Sequence, residues 1–223
     1  MVLQVEKEKR KMRRQRFKVP DKSSSQDEIT RDKEKAKKNH VEANYASQLI
    51  GRDIFYIGCL KGIGRIYHQV AGDCFSSFGA ANVYDNKTTK VSTDVVENHL
   101  AKKVAPAKIE RILTNCGTEY ATWHEEAIPD HEFEKTCNRL GTKHTTTKVK
   151  HPWTNGYVER LNKTLLDEFY SVAFRKKQYK SIEELQIDLD SFMNYYNYRR
   201  IHQGYKLRQN GFRKPAEAHF SKS

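Results

Sequence analysis

The chain contains no run of about 18 apolar residues, so it offers no segment for crossing a membrane as a helix. It contains no CxxC pair and no HxxxH partner for its four cysteines, Cys59, Cys74, Cys116 and Cys137, so a zinc site is not expected. The first 20 residues are basic but lack an apolar stretch, and no secretory signal is expected there. The cysteines then read as reduced thiols of a cytoplasmic protein. Acidic residues are in deficit as well. There are 28 Asp and Glu against 41 Lys and Arg, for a formal net charge of +13. That excess favours a polyanionic partner, most often nucleic acid, over the plainer reading of a merely soluble basic protein. The length, 223 residues, suits one sizeable domain with tails or two small domains. Only 37% of residues are hydrophobic and 31% are charged, so part of the chain should lie outside any core.

That part is the beginning. Residues 1–48 carry Lys7, Lys9, Arg10, Lys11, Arg13, Arg14, Arg16 and Lys18, then Pro20 and a Ser23-Ser24-Ser25 run, then more charge through Lys38. Apolar residues are too sparse for a core face, so this stretch reads as a charged arm, helical or disordered. Residues 49–220 read as the folded domain. Asp53 to Ile57, Ile66 to Ala71 and Phe78 to Tyr84 are enriched in β-branched and aromatic residues, and Gly- and Ser-bearing links join them, which predicts an antiparallel meander. Val91 to Val104 reads as a helix stopped by Pro106. Ile109 to Thr114 reads as a buried strand, Phe133 to Leu140 as a helix, and Thr142 to Val149 as extended. A helix carrying Val158, Leu161, Leu165 and Phe169 follows a loop at residues 151–156. A last helix starts at Ser181, where Ser181 and Glu184 form a capping-box pattern, and carries Ile182, Leu185, Leu189, Phe192 and Tyr196 as a core stripe. The order β-β-β-α-β-α-β-α-α implies a mixed α/β sheet covered by helices.

Three positions stand out: Asp53 on the first strand, Asn115 at the end of the fourth, and Glu159 near the start of a helix. Alone, a strand Asp has a structural reading and a helix Glu a solvated one. Their surroundings are more specific. Thr114-Asn115-Cys116-Gly117 closes a strand in the manner of the Thr-Asp-Asn-Gly run of integrase cores. Asn155-Gly156-Tyr157-Val158-Glu159-Arg160 resembles the Asn-Gly-x-x-Glu-Arg helix of the same family. Asp53-Ile54-Phe55-Tyr56-Ile57-Gly58, with Leu60-Lys61-Gly62, resembles its first strand. Tyr196-Asn197-Tyr198-Arg199-Arg200-Ile201-His202 and the closing Lys214-Pro215-Ala216-Glu217 are similar to its ending. The matches come in order over roughly residues 41–220. The chain therefore resembles bacterial insertion-sequence transposases with a retroviral-integrase-type catalytic core.

The resemblance implies a ribonuclease-H-like fold, a mixed five-stranded sheet flanked by helices, and the cutting and joining of DNA. It also implies two Mg²⁺ or Mn²⁺ ions and assembly as a homo-oligomer on element ends and target DNA. Two ions about 3.5–4 Å apart can activate the attacking oxygen and stabilise the leaving one, and Mg²⁺ prefers hard oxygen ligands. By resemblance Asp53 bridges the metals, Glu159 holds one, and Asn115 stands where the family has Asp. Asn is nearly isosteric with Asp but neutral. A loss of about 4 kcal/mol of transition-state stabilisation would slow the reaction about a thousandfold, so impaired catalysis is expected. Cys116, where the family has Asn, is a second departure. Asp73 and Glu119 are the acids that could compensate, against ordinary readings as a turn cap and a surface Glu.

Lys148, Lys150, His151 and Trp153 precede the Glu159 helix, and Arg160 and Lys163 lie on it. Basic residues interleaved with an aromatic suit phosphates and unstacked bases, while a solvated loop with one packed Trp remains the alternative for the first four. Arg199, Arg200 and His202 either touch DNA or cap a sheet edge. No helix-turn-helix for recognising element ends is apparent in residues 1–48. Two other functions stay open beside the transposase: a non-catalytic DNA-binding relic or inhibitor of intact transposase, and a nuclease acting on RNA–DNA hybrids, which would share the fold but not the Asn-Gly-x-x-Glu-Arg helix.

Overall fold

A computed structural model describes residues 43–122, 127–147, 156–202, 207 and 211–221. Strands β1 (Ile50–Leu60), β2 (Gly64–Asp73) and β3 (Gly79–Tyr84) form the expected antiparallel meander. β1 is longer than the pattern suggested and carries a bulge between Tyr56 and Gly58, where Gly58 has φ 147°. A positive φ at that point suits a residue without a Cβ. A helical rod, α1, follows in three consecutive pieces: Thr89–Asp94, a π-helical Val95–Leu100, and Ala101–Val104. Then come β4 (Arg111–Thr114), α2 (Glu132–Arg139) and β5 (Lys143–Thr146). A second rod, α3, runs through Gly156–Thr164, a π-helical Leu165–Tyr170 and Ser171–Lys176. The chain continues through α4 (Ile182–Tyr198) to the short α5 (Pro215–His219), which the pattern had not indicated.

The sheet order is β3-β2-β1-β4-β5, with β4 parallel to β1 and β5 parallel to β4. Because successive strand residues face opposite sides, each strand feeds two cores. Val70 and Ala81 pack with Leu161, Leu165, Leu185 and Leu189 of α3 and α4. Their neighbours Ala71 and Ala80 pack with Val96 and Leu100 of α1 and Phe133 of α2. Leu165, Leu185 and Leu189 are fully buried, and each such side chain contributes about 1.5–3 kcal/mol.

The ends of the helices follow local chemistry. Ser181 Oγ accepts from the Glu184 amide at 3.2 Å, as the capping pattern implied. The Glu184 carboxylate accepts from the Lys180 amide at 2.9 Å rather than from Ser181 itself. α4 is clamped to β3 at Gly79, where Asn197 accepts from the Gly79 amide and donates to its carbonyl, both at 2.8 Å. A Cβ on Gly79 would come within 2.8 Å of the Met193 Cε and 2.9 Å of the Leu161 Cδ2, so any side chain there would have to displace the tips of two helix residues.

Of the stretch read as a charged arm, residues 1–42 lie outside the described residues. Ala43 and Ser47 are buried, Ala43 packing with Leu49, Cys74 and Leu113, so the chain meets the core before residue 49. All four cysteines are free thiols, Cys74 and Cys137 buried among them. Among the described residues, no helix is long and apolar enough to cross a membrane.

Candidate functional site

Strand alternation places Asp53 on the side of the sheet covered by α3, while Arg52 points to the other side. β4 pairs with β1 at Ile50 and Gly51 and ends at Thr114, so Asn115 emerges beside Asp53. The Asn115 side-chain amide donates to Asp53 Oδ1 at 3.3 Å. Its own Oδ1 accepts from the Gly117 amide at 2.9 Å, which orients the Asn115 NH₂ toward Asp53. Val158 and Leu161 anchor the first turns of α3 in the core, and this sets Glu159 and Asn162 along the site. Asn162, buried, donates to Asp53 Oδ2 at 2.8 Å. The Ile54 amide donates to Asp53 Oδ1 at 2.9 Å.

The Asp53 carboxyl is pushed up from 3.8 to about 7. Burial is the main cause, and the charges of Glu159 and Glu119 add to it, against the lowering effect of the Ile54 amide and Asn162. The half-buried carboxyl thus sits among acids that disfavour its charge. Glu119 is drawn in by the turn after β4: it is buried, and a Cβ on Gly117 would lie 2.5 Å from its Oε1. The structure therefore brings together Asp53, Asn115 and Asn162, while Glu159, exposed on α3, and Glu119 are near enough for their charges to act on Asp53.

Asp73 does not join them. Its carboxylate is buried and accepts from the amides of Ser47, Phe75 and Ser76 at 2.5–2.8 Å, so it anchors the turn between β2 and β3. Among the described residues, no three His, Cys, Asp or Glu side chains form a group able to hold a metal ion. Asn162, two residues beyond the Asn-Gly-x-x-Glu-Arg motif, had no role expected of it from the sequence. Its place three residues after Glu159, on the same helical face, was the available signal. Arg52 carried none. It is fully buried, donates to the Ser92 carbonyl and to Gln69, and lies 5.4 and 5.5 Å from the Tyr120 and Phe133 ring centres.

Lys148, Lys150, His151 and Trp153 lie outside the described residues. Arg160 is exposed and sits over the Tyr157 ring, and Lys163 pairs with Asp167 at 2.5 Å. Both line a groove of about 770 Å³ between α3 and the end of α4. Arg200 lines it too, fixed by two hydrogen bonds to Glu168 at 2.9 and 2.5 Å. His202 is turned inward. It is buried, donates to the Tyr196 carbonyl at 3.2 Å, and burial lowers its pKa to about 4. It closes the end of α4 as a neutral ring and is unsuited to a phosphate.

Residues 140–208 match the family described as Integrase core domain. Over 126 residues the chain is 26% identical to a putative integrase, ORF3, of Spiroplasma virus SpV1-C74, covering 54% of this chain. The chain is thus similar in sequence to integrase cores. It spans about a third of that viral relative's length, 34%. The integrase-type fold extends through nearly all of the described chain. The simian T-cell lymphotropic virus intasome, solved with the PP2A regulatory subunit B56 gamma, superposes with TM-score 0.63 and 19% identity, covering 82% of this chain and 58% of that one. The catalytic core of HTLV-2 integrase in complex with magnesium gives TM-score 0.53 and 17% identity over 81% of this chain and 100% of that one. The BIV integrase catalytic core gives TM-score 0.55 and 18% identity, covering 78% and 94%. The fold is thus the expected ribonuclease-H-like mixed five-stranded sheet flanked by helices.

Proposed function

We propose that the chain is the catalytic core of a DNA transposase or integrase, acting on duplex DNA in the cytoplasm as a homo-oligomer, with its strand-transfer activity held down by Asn115. The observation that supports this reading is the convergence of Asp53, Asn115 and Asn162 at the junction of β1, β4 and α3, with the Glu159 charge acting on Asp53. Asp53 and Glu159 are hard oxygen donors, and an acid raised to about 7 by burial and by neighbouring acids is one that a dication would relieve. They fit a divalent ion, Mg²⁺ or Mn²⁺, and the HTLV-2 relative was solved with magnesium. When bound, such ions supply Lewis acidity at the attacking and leaving oxygens of a phosphodiester. Asn162 orients the Asp53 carboxylate, and the Gly117 amide orients Asn115. Arg160, Lys163 and the groove beside them suit the phosphates of a DNA strand, and Lys148, Lys150, His151 and Trp153 would extend that surface. Residues 1–42, ahead of the buried Ala43, would serve as a basic arm that adds non-specific affinity.

Asn115 departs from this chemistry in a definite way. Its NH₂ donates to Asp53, so it offers a positive dipole end where an acidic position would offer a metal ligand. That hydrogen bond also favours the second reading, a DNA-binding chain without turnover that would hinder an intact partner. Asn115→Asp separates the two. It replaces the donor with a charge facing Asp53, and the added attraction for a dication amounts to several kcal/mol. Isothermal titration should show Mn²⁺ binding at least tenfold tighter in Asn115→Asp, with DNA nicking gained. Asp53→Ala or Glu159→Ala in that background should abolish both gains. If Asn115→Asp binds Mn²⁺ no better than the parent, and the two alanine variants change nothing, these residues do not form a metal site. Metal binding restored without nicking favours the non-catalytic reading.

A further inference from the structure

On the far side of β4 from α3 lies a chain of hydrogen bonds that the site does not otherwise explain. Glu134 of α2 meets His144 Nδ1 at 2.7 Å. His144 Nε2 meets Thr114 Oγ1 at 2.9 Å. Thr114 Oγ1 donates to the Asn115 carbonyl at 2.9 Å. Thr114 is fully buried and the His144 side chain nearly so, at 4% exposure. The three side chains come from α2, β5 and β4, whose order in the chain gives no hint that they touch.

The direction of the chain follows from counting hydrogens. A threonine hydroxyl has one, and here it goes to the Asn115 carbonyl, so Thr114 accepts from His144 Nε2–H. His144 then faces Glu134 through Nδ1, where one proton shared between ring and carboxyl satisfies the third bond. A buried chain of this kind is rigid because breaking any link leaves a buried polar group without a partner.

What it holds is the turn that aims the site. The Asn115 carbonyl is pinned from below by Thr114, while the Asn115 side chain is pinned from above by the Gly117 amide. Cys116 donates to the Thr147 carbonyl at 3.0 Å, and the Thr147 amide donates to the Thr114 carbonyl at 2.8 Å, so the exits of β4 and β5 are tied as well. We propose that Glu134, His144 and Thr114 are positioning residues that fix the β4 exit, and with it the direction in which position 115 faces Asp53. The inference rests on the reading of Asp53, Asn115 and Glu159 as the functional site.

The test uses the full chain, labelled for amide hydrogen exchange by NMR. Thr114→Val keeps the shape and removes the hydroxyl, Thr114→Ser keeps the hydroxyl, and His144→Ala removes the middle link. Exchange at the Gly117 amide should quicken about tenfold in Thr114→Val and His144→Ala, as for loss of one buried hydrogen bond. It should stay within about twofold in Thr114→Ser, while amides of the β1–β2 ladder keep the parent's rates. Equal quickening of Gly117 and the ladder would mean a general loss of stability and would overturn the proposal, as would an unchanged Gly117 amide in Thr114→Val. The same substitutions in Asn115→Asp should weaken Mn²⁺ binding about tenfold for Val and little for Ser. If Asn115→Asp binds no Mn²⁺, the metal reading falls, and the Gly117 exchange rates still decide whether Glu134, His144 and Thr114 fix the β4 exit.

Discussion

Replacing Asp53 by asparagine should make the protein more stable, and more so as the pH rises. The Asp53 carboxyl is pushed from 3.8 to about 7, first by burial and then by Glu159 and Glu119. A raised pKa means that the folded chain keeps a proton the unfolded chain gives up. The contribution of Asp53 to stability therefore falls as pH climbs from about 4 to about 7, and is level outside that window. At about 1.4 kcal/mol for each tenfold change in proton affinity, the charged carboxylate costs up to about 4 kcal/mol at pH 8. The Asp53→Asn side chain would carry no such cost, and its hydrogen bonds can be met. Its Oδ1 takes over the Ile54 and Asn115 donors. Its NH₂ would oppose the Asn162 NH₂, but Asn162 Oδ1 is buried without a partner, so a flip of that amide presents an acceptor. Urea unfolding of both chains in metal-free buffer should give nearly equal stabilities at pH 4 and a gap of about 2–4 kcal/mol in favour of Asp53→Asn at pH 8. The difference between the chains isolates position 53, because every other carboxylate titrates in both. Saturating Mg²⁺ should narrow the gap by stabilising only the parent. A gap that does not change with pH, or an Asp53→Asn chain less stable than the parent at pH 8, would refute the reasoning.

Further expectations concern the surface and the frame. With a net charge of +13, the chain should bind duplex DNA with little sequence preference, and fluorescence anisotropy should show affinity falling by orders of magnitude from about 50 to 200 mM salt. A salt-independent affinity would argue against phosphate contacts. Deleting residues 1–40 should leave thermal melting nearly unchanged and weaken that DNA binding, and an unfolded product would show that the arm belongs to the fold. Asn197→Ala strips both partners from the Gly79 backbone and should cost about 2–4 kcal/mol in urea unfolding. A cost under about 0.5 kcal/mol would mean that water replaces the clamp.

The local alphabet of the chain was enough to read most of the frame. Runs rich in β-branched and aromatic residues marked β1 to β3, the Ser181 cap and the Leu185 and Leu189 stripe marked α4, and the ordered motifs around Asp53, Asn115 and Glu159 pointed to the integrase type and to the candidate site. These signals are legible because each is set by residues near one another in the chain: turn chemistry, capping bonds, a repeating apolar face. What depended on packing between distant segments was not legible. The sequence offered Asp73 as a turn cap, which its bonds to the Phe75 and Ser76 amides bear out, but did not say that Asn162 would reach Asp53 or that His202 would turn inward against Tyr196. It placed Asn115 at the end of a strand but could not orient its amide, because that is decided by the Gly117 amide on one side and Asp53 on the other. It held Glu134, His144 and Thr114 in view as three unrelated residues. Only the parallel pairing of β4 with β5, and the packing of α2 against them, brings their hydrogen-bonding atoms within 3 Å, since a hydrogen bond depends on angles and distances that no spacing along the chain encodes.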